Sequence, residues 1–376
     1  MKIADHNPNN RNTAGRLAFL DWMRGCAVLI MLQGHVFHSY SRDDLRNGSP
    51  YLFSQFLGGI GPAVFLFLTG ITLAFLLDRR ERQGWAPTDR LKAGLRRACY
   101  LLMLAFLFRI QMWLFGYPFS GWQDLLKVDV LNCMGLTIGL LSLTALATTR
   151  QRVRIAGVAG AVIAAASPLV SMADWSWLPA QVSAYFVPNF NYFAFFPWAS
   201  YIAFGLSAGS ILRLTRSEDI ARLMQWTMLV GIVLLLAAQY FSNSGWSLYA
   251  KTDYWLNSPA MVASKMGVLL IMLAVVFLWC EHGVGDKWSP VRQLGTTSLI
   301  VYWTHIELVY GRWFWFFKGN LNTAQCVACA LVLWGLMLGL SLLRTHWTEA
   351  VRLFRMRFPS MAQWTGSLEP QRASGD

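Results

Sequence analysis

Hydrophobic positions in this chain fall into long runs, and the charges collect in the short stretches between them. A bilayer core needs about 20 apolar residues per helix, and about ten segments qualify: 17-38, 56-77, 98-117, 130-149, 155-172, 193-212, 223-241, 259-280, 294-316 and 323-343. The pattern predicts an all-α, polytopic membrane helix bundle of about ten transmembrane helices. The connections 78-97, 150-154, 213-222 and 281-293, together with both termini, hold most of the lysines and arginines. The opposite connections hold only Arg42, Arg46, Lys127, Lys251 and Lys318. By the positive-inside rule both termini are cytoplasmic. The chain then divides into an N-terminal tail over 1-16, a membrane domain over 17-343 and a C-terminal tail over 344-376.

Composition agrees: 55% of the 376 residues are apolar and only 14% are charged, which excludes an ordinary soluble domain. A net charge of +13 would point to nucleic acid in a soluble protein. Here the basic residues alternate with the spans and mark topology, so membrane lipid is the expected surrounding and no nucleic-acid partner is expected. The first run follows Lys2, Arg11 and Arg16 in the manner of a signal peptide, but it is long, carries Asp21 and Arg24, and lacks a small-residue cleavage site. It reads as a retained helix. The pair Cys326 and Cys329 is spaced C-x-x-C inside an apolar run with no second ligand pair. Buried thiols fit better than a disulfide or a metal site, and no metal is expected.

Ionisable residues inside membrane spans are costly and are functional candidates by default. On a helix, positions 21, 24, 28, 31, 35 and 38 share one stripe, so Asp21, Arg24, His35 and His38 lie along one face of the first span. Arg24 and His38 are then roughly 21 Å apart. A histidine near neutrality can take a proton from an attacking hydroxyl or amine, whereas its structural role would be to bond a neighbouring helix. Arg24 can pair with Asp21, or it can offer its planar donor fork to a phosphate. The basic segment 78-97, with Arg79, Arg80, Arg96 and Arg97, is a topology anchor that could also hold a phosphorylated donor. Arg109, Asp129, Asn132, Lys265 and His305 map to the middle or outer half of their spans. They could orient a base, polarise a carbonyl or hold an acceptor, and cross-helix pairing would serve each equally well. Outer segments are rich in tryptophan and tyrosine, including Trp122, Trp177, Tyr192 and Trp255, most of which read as an interfacial belt, while some could stack on sugar rings.

The opening R-L-A-F-L-D-W-M-R-G-C-A-V-L-I-M-L-Q-G-H-V-F-H-S-Y, followed by G-P-A-V-F-L-F-L-T-G, resembles that of the bacterial heparan-alpha-glucosaminide N-acetyltransferase-like membrane proteins. That group is similar in turn to the wider acyltransferase-3 (transmembrane acyltransferase) superfamily. Further matching stretches are V-D-V-L-N-C-M-G-L at 128-136, F-P-W-A-S-Y-I-A-F-G at 196-205 and L-G-T-T-S-L-I-V-Y-W-T-H-I at 294-306. The resemblance implies transfer of an acyl group from cytoplasmic acetyl-CoA, or another acyl-CoA, to a hydroxyl or amine of a glycan or amino-sugar acceptor. It further implies that Arg24 helps hold the donor and that His35 is the catalytic histidine, with His38 as the alternate. The expected setting is the bacterial inner membrane. A membrane transporter or flippase for a sugar or lipid-linked substrate is the rival reading, since about ten spans with scattered polar groups suit it too.

Overall fold

A computed structural model describes residues 8–244, 248–284 and 288–357. The outermost parts of both predicted tails, 1–7 and 358–376, lie outside the described residues. The helices, in chain order, are α1 (Pro8–Tyr40), α2 (Ser49–Gly58), α3 (Gly61–Arg82), α4 (Pro87–Gly116), α5 (Val130–Leu141), α6 (Thr149–Met172) and α7 (Ala180–Ser183). They continue with α8 (Phe195–Leu214), α9 (Ile220–Asn243), α10 (Pro259–Trp279), α11 (Pro290–Thr296), α12 (Ser298–Tyr310) and α13 (Thr323–Arg357). No β-strand occurs among the described residues, and eight helical stretches there are long and apolar enough to cross a bilayer. The chain is an all-α polytopic membrane bundle.

Two of the predicted spans are not among those eight. The first is 17-38, which is helical throughout as part of α1 and carries Asp21, Arg24, Gln33 and His35. The other is 294-316, which is not one helix: α11 stops at Thr296 and α12 restarts after Thr297, whose backbone is non-helical at φ −115, ψ 20. Close packing and hydrogen bonds hold this break. A Cβ on Gly295 would run into the Asp21 carbonyl of α1, and one on Gly25 would run into that of Val291. The Gln293 amide donates to Ser341 Oγ (3.0 Å) and Thr345 Oγ1 (2.8 Å) of α13.

The connection predicted at 78-97 is largely helical as well, because α3 runs on to Arg82 and α4 starts at Pro87. Arg79, Arg80 and Arg82 occupy the last turn of α3, where cations oppose the helix dipole. Proline at the first helical turn of α4 costs no hydrogen bond. Inside the bundle, α3 and α8 touch backbone to backbone. A Cβ on Gly205 would overlap the Phe67 carbonyl, and one on Gly70 would overlap that of Ile202. Small residues let transmembrane helices approach this closely.

Side-chain pairs fix the alternation of helix directions. At one end Glu81 of α3 pairs with Arg90 of α4 (2.9 Å) and Arg152 of α6 (3.1 Å), while Asp78 of α3 pairs with Arg82 (2.9 Å) and with Arg213 of α8. The C-terminal ends of α3 and α8 therefore meet the N-terminal ends of α4 and α6. Arg152 is fully buried and also donates to the carbonyls of Thr144 and Ala147. At the opposite end, Arg109 of α4 pairs with Asp129 at the start of α5, and Arg312 after α12 donates to the Tyr117 carbonyl after α4. The Leu321 amide, just before α13, donates to the Tyr40 carbonyl of α1.

Candidate functional site

A cavity of about 1020 Å³ lies where α1, α3, α4, α5 and α12 face one another. From α1 it receives Arg24, Met31, His35 and His38, most of the stripe that the helical period predicts. The cavity thus follows α1 from near the basic end of the bundle to the opposite end. Its volume is at the upper limit of ordinary small-molecule pockets.

At the basic end, Arg24 is held in a fixed pose. Its Nη1 donates to Asp21 Oδ1 and its Nη2 donates to Thr72 Oγ1 of α3, both at 2.9 Å. Asp21 lies outside the lining and holds Arg24 by its ion pair. Arg97 of α4 also lines this end, with its guanidinium 5.7 Å from the Tyr100 ring. Arg79 and Arg96 are exposed and do not line it, nor does Arg80, which stacks on Trp85 at 4.5 Å. Of the four arginines predicted from this segment, one reaches the cavity. The other observed use of the segment is structural: Arg90 is buried against Glu81 in the ion cluster that joins four helices.

Further along, His35 sits against the wall formed by α12. Its Nδ1 lies 3.0 Å from His305 Nε2, and the Tyr310 ring packs edge-on at 5.3 Å. His305 is fully buried behind His35 and does not line the cavity. His38 is exposed, lines the cavity and has its Nδ1 3.2 Å from the Tyr310 hydroxyl. The cavity face of α12 is formed by Ser298, Leu299, Tyr302, Ile306 and Tyr310. Tyr310 was not singled out from the sequence, yet its i−4 and i−8 neighbours Ile306 and Tyr302 continue the same stripe and could have revealed it.

The wall at the end away from the basic cluster is built on Asp129. This residue caps α5, accepting from the Leu131 and Asn132 amides at 2.9 and 3.2 Å, and Asn132 Oδ1 accepts in return from the Asp129 amide. A capping box of this kind fixes the carboxylate, whose Oδ2 lies 3.2 Å from Arg109 Nε. Arg109 and Asp129 both line the cavity; Asn132 stands behind and donates to the Tyr185 hydroxyl. Asp124, Lys127, Phe190 and Tyr192 complete this wall. Of the outer aromatics, Tyr192 faces the cavity, whereas Trp122, Trp177 and Trp255 are exposed.

Lys265 is also set apart from the cavity. It does not line the cavity and instead rests over the Trp198 ring, 4.8 Å from its centroid. Among the described residues no group of His, Cys, Asp or Glu side chains could hold a metal ion, and all six cysteines are free. Cys326 is buried, with its Sγ 3.4 Å from Ser41 Oγ.

Fold and site together define a multi-span helical membrane protein with an internal cavity that joins a basic end to a histidine pair. The family model for heparan-alpha-glucosaminide N-acetyltransferase, catalytic, matches residues 16–238, more than half of the chain. The chain belongs to this family and is a membrane acetyltransferase-like protein. The match includes Arg24, His35, Arg109 and Asp129, whereas His305 and Tyr310 lie beyond it. No curated protein matches the sequence.

Proposed function

We propose that the protein moves an acyl group, acetyl in the first instance, from a cytoplasmic acyl-CoA to a hydroxyl or amine of a glycan-type acceptor at the outer face of a bacterial inner membrane. The observation that carries this reading is the single cavity lined by both Arg24 and His35. They are eleven residues apart on one helix, or about 16 Å, roughly half of a ~30 Å hydrocarbon core.

Coenzyme A is too polar to cross lipid. Its phosphates would stay at the basic mouth, where Arg24 and Arg97 supply guanidinium donors, and its pantetheine arm would lie along the cavity. His35 would remove the proton as the acceptor oxygen or nitrogen attacks the thioester carbonyl. Collapse of the tetrahedral intermediate breaks the carbon–sulfur bond, and the departing thiolate takes that proton back from the imidazolium. A route through a transient acyl-imidazole uses the same atoms. Arg109, balanced by Asp129, and the Tyr310 hydroxyl are the donors best situated for the acceptor or the developing oxyanion.

Titration calorimetry with a non-hydrolysable acetyl-CoA analogue tests the donor end. Saturable micromolar binding is expected, weakened about tenfold in Arg24→Ala by loss of one charge-assisted contact. No saturable binding, together with substrate counterflow in vesicles, would favour a transporter, a reading with which the broken α11–α12 segment is compatible.

A further inference from the structure

We propose that His305 is a positioning residue: it fixes His35 in the tautomer that carries its proton on Nδ1 and leaves Nε2 bare for proton removal. The proposal rests on the reading of His35 as the base, and it follows from where protons can sit in a short chain of contacts.

The chain starts at the Val301 carbonyl, 2.8 Å from His305 Nδ1. A carbonyl oxygen only accepts, so His305 Nδ1 must hold a proton. Neutral imidazole has one N–H, and His305 Nε2 is therefore bare. That bare nitrogen lies 3.0 Å from His35 Nδ1. Two lone pairs cannot face each other at that distance, so the proton between them belongs to His35 Nδ1. In neutral His35 the remaining nitrogen, Nε2, is then an acceptor, and no partner for it occurs among the described residues.

Ring geometry supports the same assignment. The two imidazoles are inclined by only 17°, with centroids 5.2 Å apart. This is too far for face-to-face contact and close to a 3.0 Å in-plane hydrogen bond extended by the two ring radii. The rings meet edge to edge, with the donor N–H directed at the acceptor lone pair.

The arrangement also suits the charged state. When His35 gains a proton at Nε2, its Nδ1–H still points at His305, and the bond becomes charge-assisted and stronger. His305 would then do for His35 what the third member of a catalytic triad does for its histidine, setting tautomer and orientation without touching substrate. Total burial of His305 and the Tyr302 ring packed edge-on against it hold that imidazole in place. The other polar groups facing the pair are His38 and the Tyr310 hydroxyl, both on the cavity side.

The test uses the full chain in lipid nanodiscs, labelled with ¹⁵N-histidine, and measures transfer from labelled acetyl-CoA to glucosamine. The signals lost in His35→Ala identify His35, and in the unmodified protein they should show a protonated Nδ1 and a bare Nε2. His305→Ala should move His35 toward the Nε2–H form and lower kcat by about 10²-fold or more with the donor KM little changed. His305→Gln, whose Oε1 can accept from His35 Nδ1, should recover most of the rate and the original spectrum.

A His35 already protonated on Nε2 in the unmodified protein would overturn the proposal. So would full kcat in His305→Ala when His35→Ala is inactive. If His305→Ala fails to fold, the wild-type spectrum and the Gln variant still decide. Full transfer in His35→Ala would instead defeat the base reading, and the tautomer spectrum would remain a separate test of the His305 contact.

Discussion

Replacing Asp129 separates two roles that one side chain performs. Its carboxylate caps α5 by accepting two backbone amides, and it balances the charge of Arg109, whose side chain is 18% exposed. Asparagine caps a helix about as well as aspartate, so Asp129→Asn removes the charge and keeps the cap. Stranding one member of a fully buried ion pair costs about 3–5 kcal/mol. Partial hydration from the cavity lowers that to about 2 kcal/mol here. Asp129→Ala loses the cap too, for about 1 kcal/mol more.

In nanodisc melting experiments, at about 2 °C per kcal/mol for a chain of this size, the Asn variant should melt about 4 °C below wild type and the Ala variant about 6 °C below. The double variant Arg109→Met/Asp129→Asn should recover most of the loss seen in Asp129→Asn, because no unpaired charge remains. Wild-type melting of Asp129→Asn, or a double variant no better than the sum of its singles, would refute the ion-pair account and leave the cap alone.

Two further outcomes follow from packing. Gly205→Leu should prevent α8 from seating on α3, because even a Cβ there meets the Phe67 carbonyl; size-exclusion profiles in mild detergent should show loss of the monodisperse species, and an unchanged profile would contradict the backbone contact. Arg152→Met leaves the Ala147 carbonyl without its Arg152 donor and the Thr144 carbonyl with the Ala147 amide alone, while Glu81 keeps Arg90. A destabilisation of about 3 kcal/mol is expected, read as a lower melting temperature, and Arg152→Lys should recover only part of it because an ammonium cannot reach all these acceptors at once.

The sequence carried much of this architecture because hydrophobic runs and the helical period are local properties. The stripe on α1 is the clearest case: Arg24, His35 and His38 follow from residue spacing alone, and all three face one cavity. What escaped depends on tertiary contact. Nothing in L-G-T-T-S-L demands a break at Thr297; the break is held by Gly295 against α1 and by Gln293 bonded to α13. Lys265 looked equivalent to Arg109 because depth along a helix is readable, whereas rotation about its axis relative to neighbours is not. The pairing of His35 with His305, 270 positions apart, was likewise invisible until α1 and α12 were packed together.

The central claim is that one passage brings a cytoplasmic donor to His35 for transfer to an acceptor on the far side. Sealed vesicles decide it directly, with labelled acetyl-CoA confined to the cytoplasmic face and glucosamine confined to the other. Acetylated sugar should accumulate on the glucosamine side with the unmodified protein and fall to background with His35→Ala. Product formed only when donor and acceptor share a face, or undiminished transfer by His35→Ala, would contradict the account.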